Sequence, residues 1–215
     1  MSDALVFVMD GVLVDTEAVW DDVREALVRE RGGRWSDRAQ ADMMGMSSVE
    51  WSRYMHERLG LRETPAEIND EVVRRMLVRY RENLPLIEGA VAAVERLAPH
   101  VPLAVASSSN RPLIDAVLAA SGLTPHFAAT VSSEEVPRGK PAPDVFHEAA
   151  SRLGVEPARC AAVEDSSNGL RAAHAAGMRV LALPNPHYPP APDALALADV
   201  VLGSLAELTP ELVRG

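Results

Sequence analysis

The chain has 215 residues, 47% of them apolar, which is enough for one substantial core with a small accessory domain beside it and too little for two full-sized domains. Its formal net charge of −10, spread without long runs of one sign, repels a polyanion and argues against nucleic acid as a partner. No apolar stretch reaches bilayer length and the first residues lack a secretory signal pattern, so a cytoplasmic protein with no membrane partner is expected.

In chain order, residues 4–9 (Ala-Leu-Val-Phe-Val-Met) are continuously apolar and end at Asp10-Gly11, which suits a strand buried on both faces of a parallel sheet. From Thr16 to about Asn83 the pattern becomes charged and amphipathic, with Gly32-Gly33, Gly45 and Gly60 as breaks between helices. Thr64-Pro65-Ala66-Glu67 is the clearest helix start, with a capping threonine, a first-turn proline and a glutamate able to close a capping box. After Leu84-Pro85 apolar strands alternate with amphipathic helices. Strands are expected at 102–106, 160–163, 179–183 and 199–202, and helices at 89–98, 111–121, 143–153 and 167–176. The alternation predicts an α/β fold with a doubly wound, Rossmann-like parallel sheet. Residues 1–15 and 85–215 would form this core, and 16–84 an inserted all-helical domain. Pro184–Pro192 reads as a surface loop, and its His187 as a part of that loop with no role.

Ligands of such sheets sit beyond the carboxyl ends of the strands, so the residues at each strand tip carry the chemistry. The first strand delivers Asp10 beside a glycine, which is either a site acid or a plain turn. The second delivers Ser107-Ser108-Ser109-Asn110 before a helix, either an anion cradle or a helix cap. Of 21 cationic side chains only Lys140 is a lysine, and it precedes prolines that stiffen its loop. A compact ammonium held there suits a phosphate oxygen. The strand at 160–163 ends in Glu164-Asp165, adjacent acids that repel unless one caps a helix or a cation lies between them; magnesium is the natural cation for such oxygens. Cys160 is the only cysteine, which excludes an internal disulfide, and it reads as a small buried apolar residue.

Met9–Glu17, Ala106–Ser109, Gly139–Asp144 and Glu164–Gly169 together resemble, in order, the four motifs of the haloacid dehalogenase-like superfamily, in the branch that includes β-phosphoglucomutase and many sugar-phosphate phosphatases. Residues 16–84 resemble its helical cap. The resemblance implies a phosphatase acting on a small phosphorylated metabolite with Mg2+. It implies Asp10 as general acid and base, Ser107, Ser108 and Lys140 as phosphate ligands, and Asp10, Glu164 and Asp165 around the metal. It also implies a nucleophilic aspartate two positions before Asp10, where this chain has Val8. Valine neither attacks phosphorus nor binds metal, and loss of a comparable nucleophile costs on the order of a millionfold in turnover. Very low activity is therefore expected, or alternatively a non-catalytic relative that binds a phosphorylated ligand or a protein partner. Trp20 and Ser48 stand where the mutases carry histidine and arginine, which points away from a mutase. Trp20, Met43, Met44 and Met46 are expected to pack inside the cap. A cap without lysine excludes Schiff-base phosphonate cleavage.

Overall fold

The computed structural model describes all residues, 1–215. The opening apolar run forms β1 (Ala4–Phe7), every residue of it buried. Val8 and Met9 stay buried beyond the strand, but the ladder there is reduced to the bond from Val8 N–H to the Val163 carbonyl at 3.2 Å.

The chain then leaves the sheet for four helices, α1 (Glu17–Glu30), α2 (Ala39–Met43), α3 (Ser48–Glu57) and α4 (Pro65–Glu82). Each expected glycine break falls between helices, and Gly32, Gly45 and Gly60 adopt φ of 74°, 75° and 80°, a region closed to most side chains. The helix α4 begins where Thr64 and Glu67 predict. Thr64 Oγ1 accepts from the Glu67 N–H at 3.3 Å, and Glu67 Oε2 accepts from the Thr64 N–H at 2.9 Å. The buried stripe of α1 is Trp20, Val23, Arg24, Leu27 and Val28, the spacing of one helical face with an arginine set into it.

The sheet resumes after α5 (Ala90–Leu97) with β2 (Leu103–Ser107), α6 (Arg111–Ala120), β3 (Ala129–Ser132), α7 (Asp144–Leu153), β4 (Cys160–Glu164), α8 (Ser167–Ala175), β5 (Arg179–Ala182), α9 (Pro192–Leu195), β6 (Val200–Val201) and α10 (Pro210–Arg214). The strands are parallel in the order β3-β2-β1-β4-β5-β6. The fold class expected from the sequence is therefore observed, with one addition. The strand β3 was not foreseen, because Ala-Thr-Val-Ser is short, half polar and lies at the sheet edge, where no second neighbour demands an apolar run. Leu5 sits opposite both Leu103 and Ala161, so β1 separates β2 from β4, and the chain order reverses beside it. Such a switch point opens a crevice at the carboxyl ends of the strands. No helix is long and apolar enough to cross a membrane.

Replacing Thr64 by alanine removes the cap of α4 and should lower stability by about 1 kcal/mol, read as a lower urea midpoint with an unchanged slope.

Candidate active site

The crevice is a cleft of about 600 Å3, counted out to its mouth. Its floor comes from the strand tips: Val8 and Asp10 after β1, Ser107, Ser108 and Ser109 at the end of β2, Lys140, and Glu164, Asp165 and Ser166 at the end of β4. Its roof comes from the helical insert, through Glu17, Trp20, Arg24 and Trp51 and the segment Met43–Met46. Ser108 ties the two parts together by donating to the Gly45 carbonyl at 3.3 Å.

Lys140 and Glu164 form a buried ion pair, Nζ to Oε1 at 2.6 Å, with side-chain exposures of 4% and 1%. The other oxygen of Glu164 accepts from the Asp165 and Ser166 N–H groups, both at 2.8 Å, and from Ser166 Oγ at 3.0 Å. Ser166 in turn caps α8, its Oγ accepting from the Gly169 N–H at 3.1 Å. Gly169 is required here, since a Cβ would lie 1.6 Å from Glu164 Oε1.

Asp10 is held on both oxygens. Oδ1 accepts from Thr16 Oγ1 at 2.5 Å and Trp20 Nε1 at 3.1 Å, and Oδ2 accepts from Ser109 Oγ at 2.6 Å and, at the long limit, Ser107 Oγ at 3.5 Å. Asp165 packs against Gly11, whose φ of 78° and missing Cβ leave room for the carboxyl. Burial, then the neighbouring charges of Glu164 and Glu17, push the Asp165 carboxyl well above the usual range. Burial likewise raises Glu17 to about 7, with the charge of Asp10 adding to it. Glu17 Oε2 accepts from Gln40 Nε2 at 3.0 Å.

All the residues expected at the site do line this one cleft. The three acids expected around a metal nevertheless do not converge as a ligand cluster. Glu164 spends its oxygens on Lys140 and backbone amides, and Asp10 spends its own on hydroxyls and an indole. Val8, 3% exposed, contributes no oxygen. One uncommitted carboxylate, Asp165, does not fit a resident divalent cation that needs several oxygen ligands. Trp20 packs as expected but also donates to Asp10, so it belongs to the site. Thr16, Glu17, Arg24 and Trp51 are site residues that the sequence alone did not single out, and Ser109, expected as part of an anion cradle, instead donates to Asp10. For Arg24 a signal existed, a charge on the apolar stripe of α1.

This parallel sheet, with acid and hydroxyl at adjoining strand tips and an ammonium from the loop before α7, under a helical insert, defines a hydrolase-type α/β core. Residues 3–177 match the family described as haloacid dehalogenase-like hydrolase, and the chain belongs to that family. It is 34% identical to hexitol phosphatase B of Escherichia coli, over 99% of this chain and 96% of that protein. It is 33% identical to the fructose-1-phosphate phosphatase YqaB of Escherichia coli, over 81% and 92%. The crystal structure of CbbY from Rhodobacter sphaeroides in complex with phosphate superposes with a TM-score of 0.85 at 27% identity, covering 97% of this chain and 96% of that one. These relatives agree with the phosphatase branch that the motifs resemble.

Two outcomes follow from this geometry. An acid raised on folding keeps its proton between its usual 4.5 and about 7, so the folded state loses stability as pH rises through that window. Glu17→Gln should therefore stabilise the protein by about 3 kcal/mol more at pH 8 than at pH 4 in urea unfolding, and an equal difference at both would contradict the raised value. Gly169→Ala, ordinarily favourable in a helix, should instead destabilise by about 1–3 kcal/mol by displacing Glu164.

Proposed function

We propose that this chain has the pocket of a phosphatase for a small phosphorylated metabolite, of the sugar phosphate class, and that Val8 leaves it nearly without turnover. The observation that carries this reading is the convergence of Asp10, Ser107 and Asp165 from the ends of β1, β2 and β4 with Lys140 from the loop before α7, in one cleft roofed by the helical insert. The names of the relatives, a hexitol phosphatase and a fructose-1-phosphate phosphatase, support the substrate class.

In this reading Ser107 and Ser108 turn their hydroxyls from the long bonds to Asp10 and the Gly45 carbonyl to phosphoryl oxygens, and Lys140, with three donors, shares its ammonium between Glu164 and the phosphoryl group. Asp10, oriented by Thr16, Ser109 and Trp20, would give a proton to the leaving oxygen and then take one from the attacking water. Residues 16–84 act as a cap that excludes water, over a core of 1–15 and 85–215. Magnesium is the family's cofactor by resemblance, and in this chain Val8 removes one carboxylate from its donor set while Asp10 and Glu164 spend theirs on other partners.

The test is Val8→Asp. The repaired protein should release phosphate from fructose 1-phosphate or an aryl phosphate with added magnesium and not with a chelator, while the unaltered chain stays at background. Silence of the repaired protein across a broad panel of phosphomonoesters would reject the phosphatase reading. A second reading is favoured by the intact pocket around a buried, inert Val8: a non-catalytic protein that binds a phosphorylated ligand. It predicts affinity for inorganic phosphate together with no turnover after the repair.

A further inference from the structure

Arg24 stands apart from the other charged side chains of the insert. Arg29, Arg75 and Arg79 reach carboxylates at its surface, on Glu25, Glu30 and Asp22. Arg24 is 5% exposed and lines the cleft from α1, and its one hydrogen bond runs from Nη1 to Gln40 Oε1 at a long 3.4 Å. Its Nε has no partner. Its guanidinium carbon lies 4.4 Å from the Trp20 ring centroid and 4.9 Å from that of Trp51, so two aromatic rings hold it in place. Burial lowers its pKa to about 10, which leaves it a cation at neutral pH.

The nearest acid on the roof does not neutralise it directly. Gln40 stands between them, taking Arg24 Nη1 on its oxygen and giving its nitrogen to Glu17. A leucine at this place in the stripe would pack without the desolvation cost that a guanidinium carries, and a buried cation with most of its five donors free is stable only when something pairs with it. Glu17, Asp10 and Asp21 lie near enough to act on its charge, yet none of them takes a hydrogen bond from it, so the free donors can be met from the cleft that Arg24 lines. Trp20 links the two ends of that cleft, because the ring beside Arg24 also donates its N–H to Asp10.

We propose that Arg24 is the specificity residue of this pocket and pairs with a second anionic group, carboxylate or phosphate, at the end of the substrate away from its phosphoryl group on Ser107 and Lys140. The inference rests on the phosphoryl-binding reading above and narrows its substrate class from sugar phosphates in general to those with a second acidic group, such as phosphorylated sugar acids or bisphosphates. The net charge of −10 works against it, since the protein as a whole repels the more highly charged ligand, so a preference for one has to come from a local cation.

Titration calorimetry on the unaltered chain, with quenching of Trp20 and Trp51 as a second readout, tests it with four probes: inorganic phosphate, glucose 6-phosphate, 6-phosphogluconate and fructose 1,6-bisphosphate. At least one of the two doubly acidic probes should bind about tenfold or more tighter than glucose 6-phosphate, and which one does assigns the group as carboxylate or phosphate. Arg24→Met should bring that affinity down to that of glucose 6-phosphate, and Arg24→Lys should keep part of the gain. Equal affinity of the unaltered chain for all three esters would overturn the inference without any variant being needed, as would a preference that survives Arg24→Met. If inorganic phosphate binds and no preference appears, Arg24 alone is misassigned. If neither phosphate nor any ester binds, the phosphoryl pocket itself falls and this inference with it.

Discussion

The buried pair between Lys140 and Glu164 is the constraint from which the rest of the site takes its shape. Two charges withdrawn from water are costly unless their remaining hydrogen-bonding capacity is met, and here the second oxygen of Glu164 takes two backbone amides and a hydroxyl at the start of α8. The pair fastens the Lys140 loop to the tip of β4 and holds the ammonium at the end of β2, where it also reaches the Ala106 carbonyl at 3.5 Å. Phe146 adds a ring 4.9 Å from the ammonium. Gly169 makes the arrangement possible, and Gly11 does the same for Asp165 on the opposite side of the acid pair.

With Glu164 committed to this structural role, the electrostatics of the cleft depend on what stands at position 8. The cleft already gathers Asp10, Asp165 and Glu17; burial raises Asp165 and Glu17, with the charges of Glu164 and Glu17 adding to it at Asp165 and that of Asp10 at Glu17. A carboxylate at position 8 would add to this crowding and call for a cation to relieve it. Valine removes both the crowding and the demand. The pocket is thus polar, with Asp10, Glu164 and Lys140 paired within the protein and Asp165 left uncommitted. On the roof Gln40 stands between Arg24 and Glu17, and no carboxylate takes a hydrogen bond from the guanidinium.

Much of the sheet was legible in the sequence because a strand buried on both faces must be a continuous apolar run, as Ala4–Phe7 and Cys160–Glu164 nearly are. The edge strand Ala129–Ser132 escaped because Thr130 is only partly covered there and the run is broken. Lys140 was conspicuous as the only lysine, but its partner was not, because nothing local in the sequence couples it to an acid 24 residues away. Glu164 therefore read as a metal ligand, whereas in the structure it is the counter-ion of the lysine. Trp20 read as packing, which it is, yet the direction of its indole N–H toward Asp10 exists only in three dimensions. The arginine in the stripe of α1 was visible, and its lack of a carboxylate was not.

The central claim is that Ser107 and Lys140 border a single anion-sized space that survives without a nucleophile at position 8. A crystal structure of the unaltered chain grown with phosphate or tungstate tests this most directly. The account predicts an anion bound between Ser107 and Lys140, with Lys140 still paired to Glu164. An empty cleft at saturating anion, or a Lys140 turned away from Ser107 with the anion bound elsewhere, would contradict it.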